Sequence, residues 1–360
     1  MTHGASVPTR GSAESESGPA AGSGTGGLAA APTLETVAED TGVSRATVSR
    51  VVNGSPKVSP VVRALVEEAV ARLGYVPNRA ARSLVTRKTD SVALVISEPE
   101  TKVFKDPLLA AAVMATGQAL ADTDKQLVLF MVKDERDRRR IAKYLTGGHV
   151  DGVILVSMHD LDELPRILKD SGVPAVQMAR PNPLAPLPYV DVDNVDGARK
   201  AVRHLIATGR TRIASIAGPV DMVAAADRLT GYACELAEAG LASHRFVHGD
   251  FSQSSGEQAM VRLLAEYPEL DAVFAASDLM AAGALRALRK QGRTVPGDVA
   301  VVGFDDLDVA VFTEPPLSTV SQPVEAMARS MVDLLLAVIA GQPHPDQVIL
   351  PTRLVLRASG

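Results

Sequence analysis

From Ser91 onward the chain alternates short, uninterrupted apolar runs with amphipathic stretches of helical length. The runs are "SVALVIS" (91–97), "QLVLFMV" (126–132), "VDGVILVS" (150–157), "PAVQMA" (174–179), "RIASIAG" (212–218), "AVFAAS" (272–277) and "VAVVGF" (299–304). A strand with one wet face alternates polar and apolar residues. A run without polar interruption is instead buried on both faces, as in a parallel sheet covered by helices. Stretches such as "PLLAAAVMATGQALAD" and "DLMAAGALRALRKQG" supply the covering helices. The pattern therefore predicts an α/β body whose ligands sit beyond the carboxyl ends of the strands. It holds more strands than one compact sheet usually does, and "RPNPLAPLPYVDVDN" is a proline-rich break, so two lobes joined near Tyr189 with a cleft between them are expected. A composition 46% hydrophobic, with 12 aromatic residues and no Trp, fits this and excludes an all-β module. Cys234 is the sole cysteine, so no internal disulfide forms, and no Cys/His spacing of a zinc site occurs; a reducing compartment is expected. No run nears the ~18 apolar residues of a membrane span, and the N-terminus lacks a basic start and an apolar signal core, so neither secretion nor membrane insertion is expected.

Residues 1–31 are mostly Gly, Ala, Ser, Thr and Pro without periodic apolar positions, and a disordered tail is expected. Gly22-Ser-Gly24-Thr-Gly26-Gly27 satisfies G-x-G-x-x-G, but no strand precedes it and no helix with a ribose-binding acid follows, so it reads as linker. From Thr33 three short helices are predicted. Thr33 caps the first, where Leu34, Val37 and Ala38 share a face and Gly42 supplies a left-handed stop. Ser44 caps the second, in which Val48, Val51 and Val52 face inward while Arg45, Ala46, Ser49, Arg50 and Asn53 face solvent. Ser59 caps the third, with Val62, Leu65, Val66, Ala69, Val70 and Leu73 along one side. Residues 33–89 carry nine Lys/Arg and five Asp/Glu, a net +4 that leaves −9 for the rest of a chain of net charge −5. A basic head on an acidic body suits a nucleic-acid partner.

The stretch "TLETVAEDTGVSRATVSRVVNGSPKVSPVVRALVEEAVARLGYVPNRAARSL" closely resembles the DNA-binding head of the LacI/GalR family of bacterial transcriptional regulators. Through "DGVILVS", "DRLTGY", "GDFSQSSG", "ASDLMAAGALRAL", "VAVVGFDD" and "PPLSTVSQP" the resemblance extends over about residues 33–360. It implies an all-α helix-turn-helix head at 32–77, a hinge helix and linker at 78–90, and an α/β two-lobed periplasmic-binding-protein-like core at 91–360. The first lobe would span about 91–190 with 321–345, the second about 191–320 with the C-terminal strand.

A recognition helix sets its N-terminal side chains on base edges, and Arg binds guanine O6 and N7 bidentately. Arg45 and Arg50 are thus the expected base readers and Ala46 a thymine-methyl contact, with Thr33, Ser44, Thr47, Ser49 and Asn53 placed for phosphate or capping bonds. A surface ion pair is the alternative for Arg50. "NRAARSL" is too short to be helical alone. The resemblance implies that it folds on operator DNA, with Leu84 wedged into the minor groove at a central step and Asn78, Ala81 and Arg82 on backbone and groove. Unstacking is cheapest at a flexible pyrimidine–purine step such as CG. The other reading of Leu84 is packing on the core.

For the cleft, the resemblance assigns effector contacts to Phe104, Asp106, Arg228, Phe251, Ser277, Asp278 and Asp305. Carboxylates and a guanidinium for vicinal hydroxyls, with Phe251 as stacking platform, make a carbohydrate site chemically sensible. Arg228 as an interlobe salt bridge and Asp278 as a helix cap stand as alternatives. Two departures from the family bear on the ligand. "SEPETKVFKDP" is a long loop, and "QMARP" brings Arg180, either a pocket charge for a phosphorylated or acidic sugar or a salt-bridge partner.

There is no G-x-x-x-x-G-K-[ST], H-E-x-x-H or G-x-S-x-G, so no enzyme, cofactor or metal site is expected. A sugar-sensing solute-binding protein without DNA function would share the lobes but need a secretory signal, and its head would be purposeless. The expectation is a cytoplasmic, nucleoid-associated repressor whose affinity for double-stranded operator DNA is set by a small molecule, a sugar or sugar derivative, bound between the lobes. The C-terminal "QVILPTRLVLRASG" has no leucine heptads, so a homodimer on a near-palindromic site is expected.

Overall fold

The computed structural model of the chain describes residues 31–76 and 88–360. They form two compact units, divided after Arg79. The tail expected at 1–31 and the hinge positions Asn78, Ala81, Arg82 and Leu84 fall outside the described residues, apart from Ala31.

In the first unit, Thr33 Oγ1 accepts from the Thr36 amide and Thr36 Oγ1 from the Thr33 amide, a reciprocal cap that starts α1 (Leu34–Thr41). Gly42, at φ +69°, ends α1 in the left-handed conformation that a Cβ disfavours. Ser44 then accepts from Thr47 N at 3.2 Å and starts α2 (Arg45–Val52). After the turn at Asn53-Gly54, Ser59 and Pro60 start α3 (Pro60–Leu73). Val37, Val48, Val51, Val66, Ala69 and Tyr75 form the small core. Leu65, expected inside, is 44% exposed. The buried stripe of α3 is Val62, Val66, Ala69 and Leu73, and Leu65 lies one step off it on the solvent side.

The second unit begins with β1 (Ser91–Ile96), α4 (Glu100–Val103), α5 (Pro107–Ala121), β2 (Gln126–Met131), α6 (Glu135–Thr146), β3 (Gly152–Val156), α7 (Leu164–Asp170), β4 (Ala175–Met178) and β5 (Tyr189–Val192). The chain then crosses to a second sheet through α8 (Asn194–Ala207), β6 (Ile213–Ala217), α9 (Val223–Glu238), β7 (Phe246–His248), α10 (Gln253–Glu266), β8 (Ala272–Ala275), α11 (Asp278–Lys290), β9 (Ala300–Asp305), α12 (Asp308–Phe312) and β10 (Ser318–Ser321). It returns with α13 (Val324–Ala340) and β11 (Gln347–Leu350), and crosses once more to end in β12 (Arg353–Val355).

Strand order is β11-β5-β4-β3-β1-β2 in the first lobe and β12-β10-β9-β8-β6-β7 in the second. All pairings are parallel except β10 with β12. Val92 to Ile96 are fully buried, as an uninterrupted apolar run between helix layers requires.

Two boundaries differ from expectation. The proline-rich break contains β5, paired with both β4 and β11. The first lobe's sheet also runs past residue 345, because β11 adds at its edge. Both strands have four residues, and the pairing between them joins segments 158 positions apart, so local pattern is a weak guide to them.

Candidate functional site

On the head, α2 turns its apolar residues inward and exposes Arg45, Ala46 and Arg50. Arg45 Nε pairs with Glu35 at 2.6 Å, whereas Arg50 has no ion-pair partner among the described residues. The surface ion pair considered for Arg50 therefore falls to Arg45. Both partners are largely exposed, and an exposed pair worth ~0–1 kcal/mol is readily exchanged for a base or phosphate. Ser44 and Thr47 bond each other at the start of α2, and Asn53 Nδ2 donates to Ser49 Oγ at 3.3 Å at its end. Thr33 is exposed at the start of α1.

In the core, a cleft partly open to solvent lies at the carboxyl ends of the strands of both lobes. Its centre is Arg228 of α9, 4% exposed. Arg228 donates from Nε to Asn194 Oδ1 (2.8 Å) and from Nη1 to the Ala276 carbonyl (2.6 Å) and Asp305 Oδ1 (3.2 Å). Its guanidinium lies 3.7 Å from the centre of the Phe304 ring and 5.9 Å from that of Phe251. Asn194 Nδ2 donates onward to Asp191 Oδ1 at 2.9 Å, and Gln322 Nε2 donates to Asp305 Oδ1 at 2.6 Å. The network Asp191–Asn194–Arg228–Asp305–Gln322 thus occupies two of the crossings between lobes. Burial raises the carboxyls of Asp191 and Asp305, the latter to about 6 even with Arg228 and Gln322 opposing the shift.

Of the expected contacts, Asp106, Arg228, Phe251, Ser277 and Asp305 line this cleft. Asp106 also caps α5, accepting from Leu108 N at 2.9 Å, and its burial raises its carboxyl above the ordinary range. Ser277 caps α11. Four lining residues, Ser157, Ala179, Phe251 and Asp305, have positive φ, strain that the surrounding lobes hold in place at ~1–3 kcal/mol each.

Three expected contacts lie elsewhere. Phe104 is 74% exposed at the end of α4 and does not line the cleft. Asp278 is fully buried behind Ser277, accepting from Leu307 N and the Thr319 hydroxyl, so it neither touches the cleft nor caps α11. Burial, with Asp305 nearby, raises its carboxyl well above the ordinary range. Arg180 turns to Asp227 of α9 at 2.6 Å, a half-exposed ion pair between lobes rather than a pocket charge. The interlobe bridge considered for Arg228 is thus made by Arg180, while Arg228 binds Asp305 inside the second lobe. Asp306, beside Asp305, pairs with Arg357.

The sequence reading missed Glu98, Lys102, Asp191, Asn194 and Gln322, which line the cleft. Glu98, Asp191, Asn194 and Gln322 stand at or just past an apolar run or a lobe crossing, the one local signal that marks them, whereas Lys102 lies inside α4. Glu98 accepts from Lys102 Nζ (2.7 Å) and Ser157 Oγ (2.9 Å). Burial opposes its ionisation, but these bonds and one from His159 outweigh it and hold the carboxyl below its usual range.

Comparison with known proteins agrees with this geometry. Residues 33–78 match the model of bacterial regulatory proteins of the lacI family, and residues 202–360 that of a periplasmic binding protein-like domain. The chain is 51% identical over 334 residues to the HTH-type transcriptional regulator CelR of Thermobifida fusca, covering 91% of this chain and 98% of that protein. Among solved structures it resembles a CelR–cellobiose complex (TM-score 0.74, 48% identity, 91% of this chain and 100% of that one). It also resembles the lac repressor dimer bound to operator and the anti-inducer ONPF (TM-score 0.81, 32% identity, 91% and 98%). These relatives are regulators rather than enzymes, and the chain belongs to the LacI family of bacterial transcriptional regulators.

Proposed function

We propose that this regulator is a homodimeric repressor that reads a near-palindromic operator with Arg45 and Arg50 and answers to a neutral sugar, a disaccharide of the cellobiose class, held between its lobes. The observation that carries the ligand class is the charge of the cleft. Its ionisable lining is Glu98, Asp106, Asp191 and Asp305 against Lys102 and Arg228, and both cations are already paired with cleft carboxylates. A phosphate or carboxylate would find no spare cation there, whereas vicinal hydroxyls find acceptors at several heights. Met158, Met178, Met222, Leu279, Leu307 and Phe251 give apolar surface for the C–H faces of sugar rings. The cellobiose in the related CelR structure supports the same class.

Ligand binding across both lobes favours their closed arrangement, and in a dimer that arrangement governs how the two heads meet DNA. Asn78, Ala81, Arg82 and Leu84 are proposed as the hinge contacts, with Leu84 as minor-groove wedge. The protein acts in the cytoplasm, on the nucleoid. Among the described residues no helix is long and apolar enough to cross a membrane.

The test is selection of binding sites from random duplex DNA, followed by titration of the enriched site with cellobiose and with glucose 6-phosphate. A palindrome with a central CG step, released or tightened by cellobiose and unaffected by the phosphate, is expected. Response to the phosphorylated sugar alone would overturn the ligand class. Arg50→Ala is expected to relax sequence preference at one position of each half-site, weakening specific binding by about 1–3 kcal/mol while random DNA is held nearly as before.

A further inference from the structure

Beside the cleft, the loop after β3 in the first lobe meets the loop after β6 in the second. The backbone amide of Asp160 donates to the carbonyl of Asp221 at 2.9 Å. Next to this link His159 stands between two carboxylates, with Nδ1 2.8 Å from Asp221 Oδ2 and Nε2 3.4 Å from Glu98 Oε1. Asp221 belongs to the second lobe, and Glu98 lines the ligand cleft from the first. A neutral imidazole carries one N–H and can donate to only one of two carboxylates; the doubly protonated ring donates to both.

We propose that His159 is a proton-operated latch between the lobes: as imidazolium it ties Asp221 to Glu98 and favours the closed cleft, and when it loses a proton the closed form is weakened and the ligand is held less tightly. The effect on the ligand rests on the sugar-binding reading above; the latch itself does not.

Other charged groups surround the ring. Lys102 of α4 and Ser157 are bound to Glu98, and Arg138 of α6 is bound to Asp162 and Glu135. Ser97 donates to Asp162, while Lys133 lines the same recess. Lys102 and Ser157 bind the same Glu98 Oε1 that faces His159 Nε2, so that oxygen is shared, and even so the bonds to Glu98 and Asp221, against partial burial, raise the imidazole above its ordinary value of 6.5. The closed form therefore binds the extra proton. Closure is favoured below the ordinary imidazole range and lost as pH rises through the raised value. Arg180 with Asp227 is a second interlobe pair, and no change of charge in this range affects it, so opening is graded rather than complete.

The experiment uses the full chain, with His159→Gln and Asp221→Asn. Histidine-labelled protein is titrated by NMR without ligand, the His159 signal being the one missing from His159→Gln among seven histidines. It is expected to titrate above the ordinary imidazole range and to move down in Asp221→Asn. Calorimetry with cellobiose at pH 6.5 and 8.5 is expected to show affinity falling about threefold or more in the parent and staying level in His159→Gln. A His159 titration unmoved by Asp221→Asn, or a pH dependence that survives in His159→Gln, overturns the latch. Absence of cellobiose binding at every pH, with the titration shifted as expected, overturns the sugar reading and leaves the latch supported.

Discussion

Arg228 has exchanged water for three oxygen acceptors and the face of Phe304, and the surrounding carboxylates are in turn held by it. Removing one partner of such a buried pair leaves the other uncompensated, so Arg228→Ala is expected to lower unfolding free energy by about 3–5 kcal/mol in denaturant titrations and to abolish ligand binding. Asp305 gives the site a second pH dependence, in a lower range than that of His159. Its folded carboxyl is raised to about 6, mainly by burial, so the folded state holds a proton that the unfolded chain has released. The stability this proton confers is full below about pH 4 and is lost as pH rises through 6. Asp305→Asn is expected to flatten that part of the stability profile, a change on the order of 2 kcal/mol in chemical denaturation at pH 4 and 6.5. A slope unchanged by the substitution would assign the titration to another group.

Helices α10 and α11 pack so closely that glycine is required on both sides. A Cβ at Gly283 would lie 2.1 Å from the Gln253 carbonyl oxygen, and one at Gly256 would lie 2.2 Å from that of Met280. Backbone cannot swing aside as a side chain does, so Gly283→Ala must push two helices apart; a loss of about 1–3 kcal/mol is expected by thermal or denaturant unfolding. The glycines themselves were visible in "SQSSGEQAM" and "AAGALRAL", but nothing local says that two helices meet there. The caps of the three head helices were legible, because Thr33, Ser44 and Ser59 bond to amides within three residues, whereas at α11 Ser277 and not Asp278 is the cap. Leu65 was not, because the width of a buried stripe depends on what packs against it.

At the scale of the whole molecule, the chain crosses between lobes after β5, after β10 and after β11, and the cleft is walled by residues near these crossings. A ligand that bridges the lobes binds the native state and not the unfolded one. Cellobiose at about 100 times its Kd is expected to stabilise the core by about 2.7 kcal/mol, read as a rise in Tm by calorimetry. An unchanged Tm at saturating cellobiose would count against a ligand held by both lobes.

What the sequence alone determined were the features carried by local pattern: parallel strands from uninterrupted apolar runs, helix starts from capping residues, a basic head on an acidic body, and Arg50 on an open helical face. Tertiary structure decided which further polar residues share the cleft with the expected Asp106, Arg228, Ser277 and Asp305. Glu98, Lys102, Asp191, Asn194 and Gln322 are scattered over more than 200 positions, and no periodicity links them until two sheets bring their strand ends together. The same holds for Asp278, Arg180 and Phe104, whose side-chain chemistry suited a ligand site but whose partners or exposure set them outside it. Residue type sets what a side chain can bind; where it points is set by packing between segments distant in the chain.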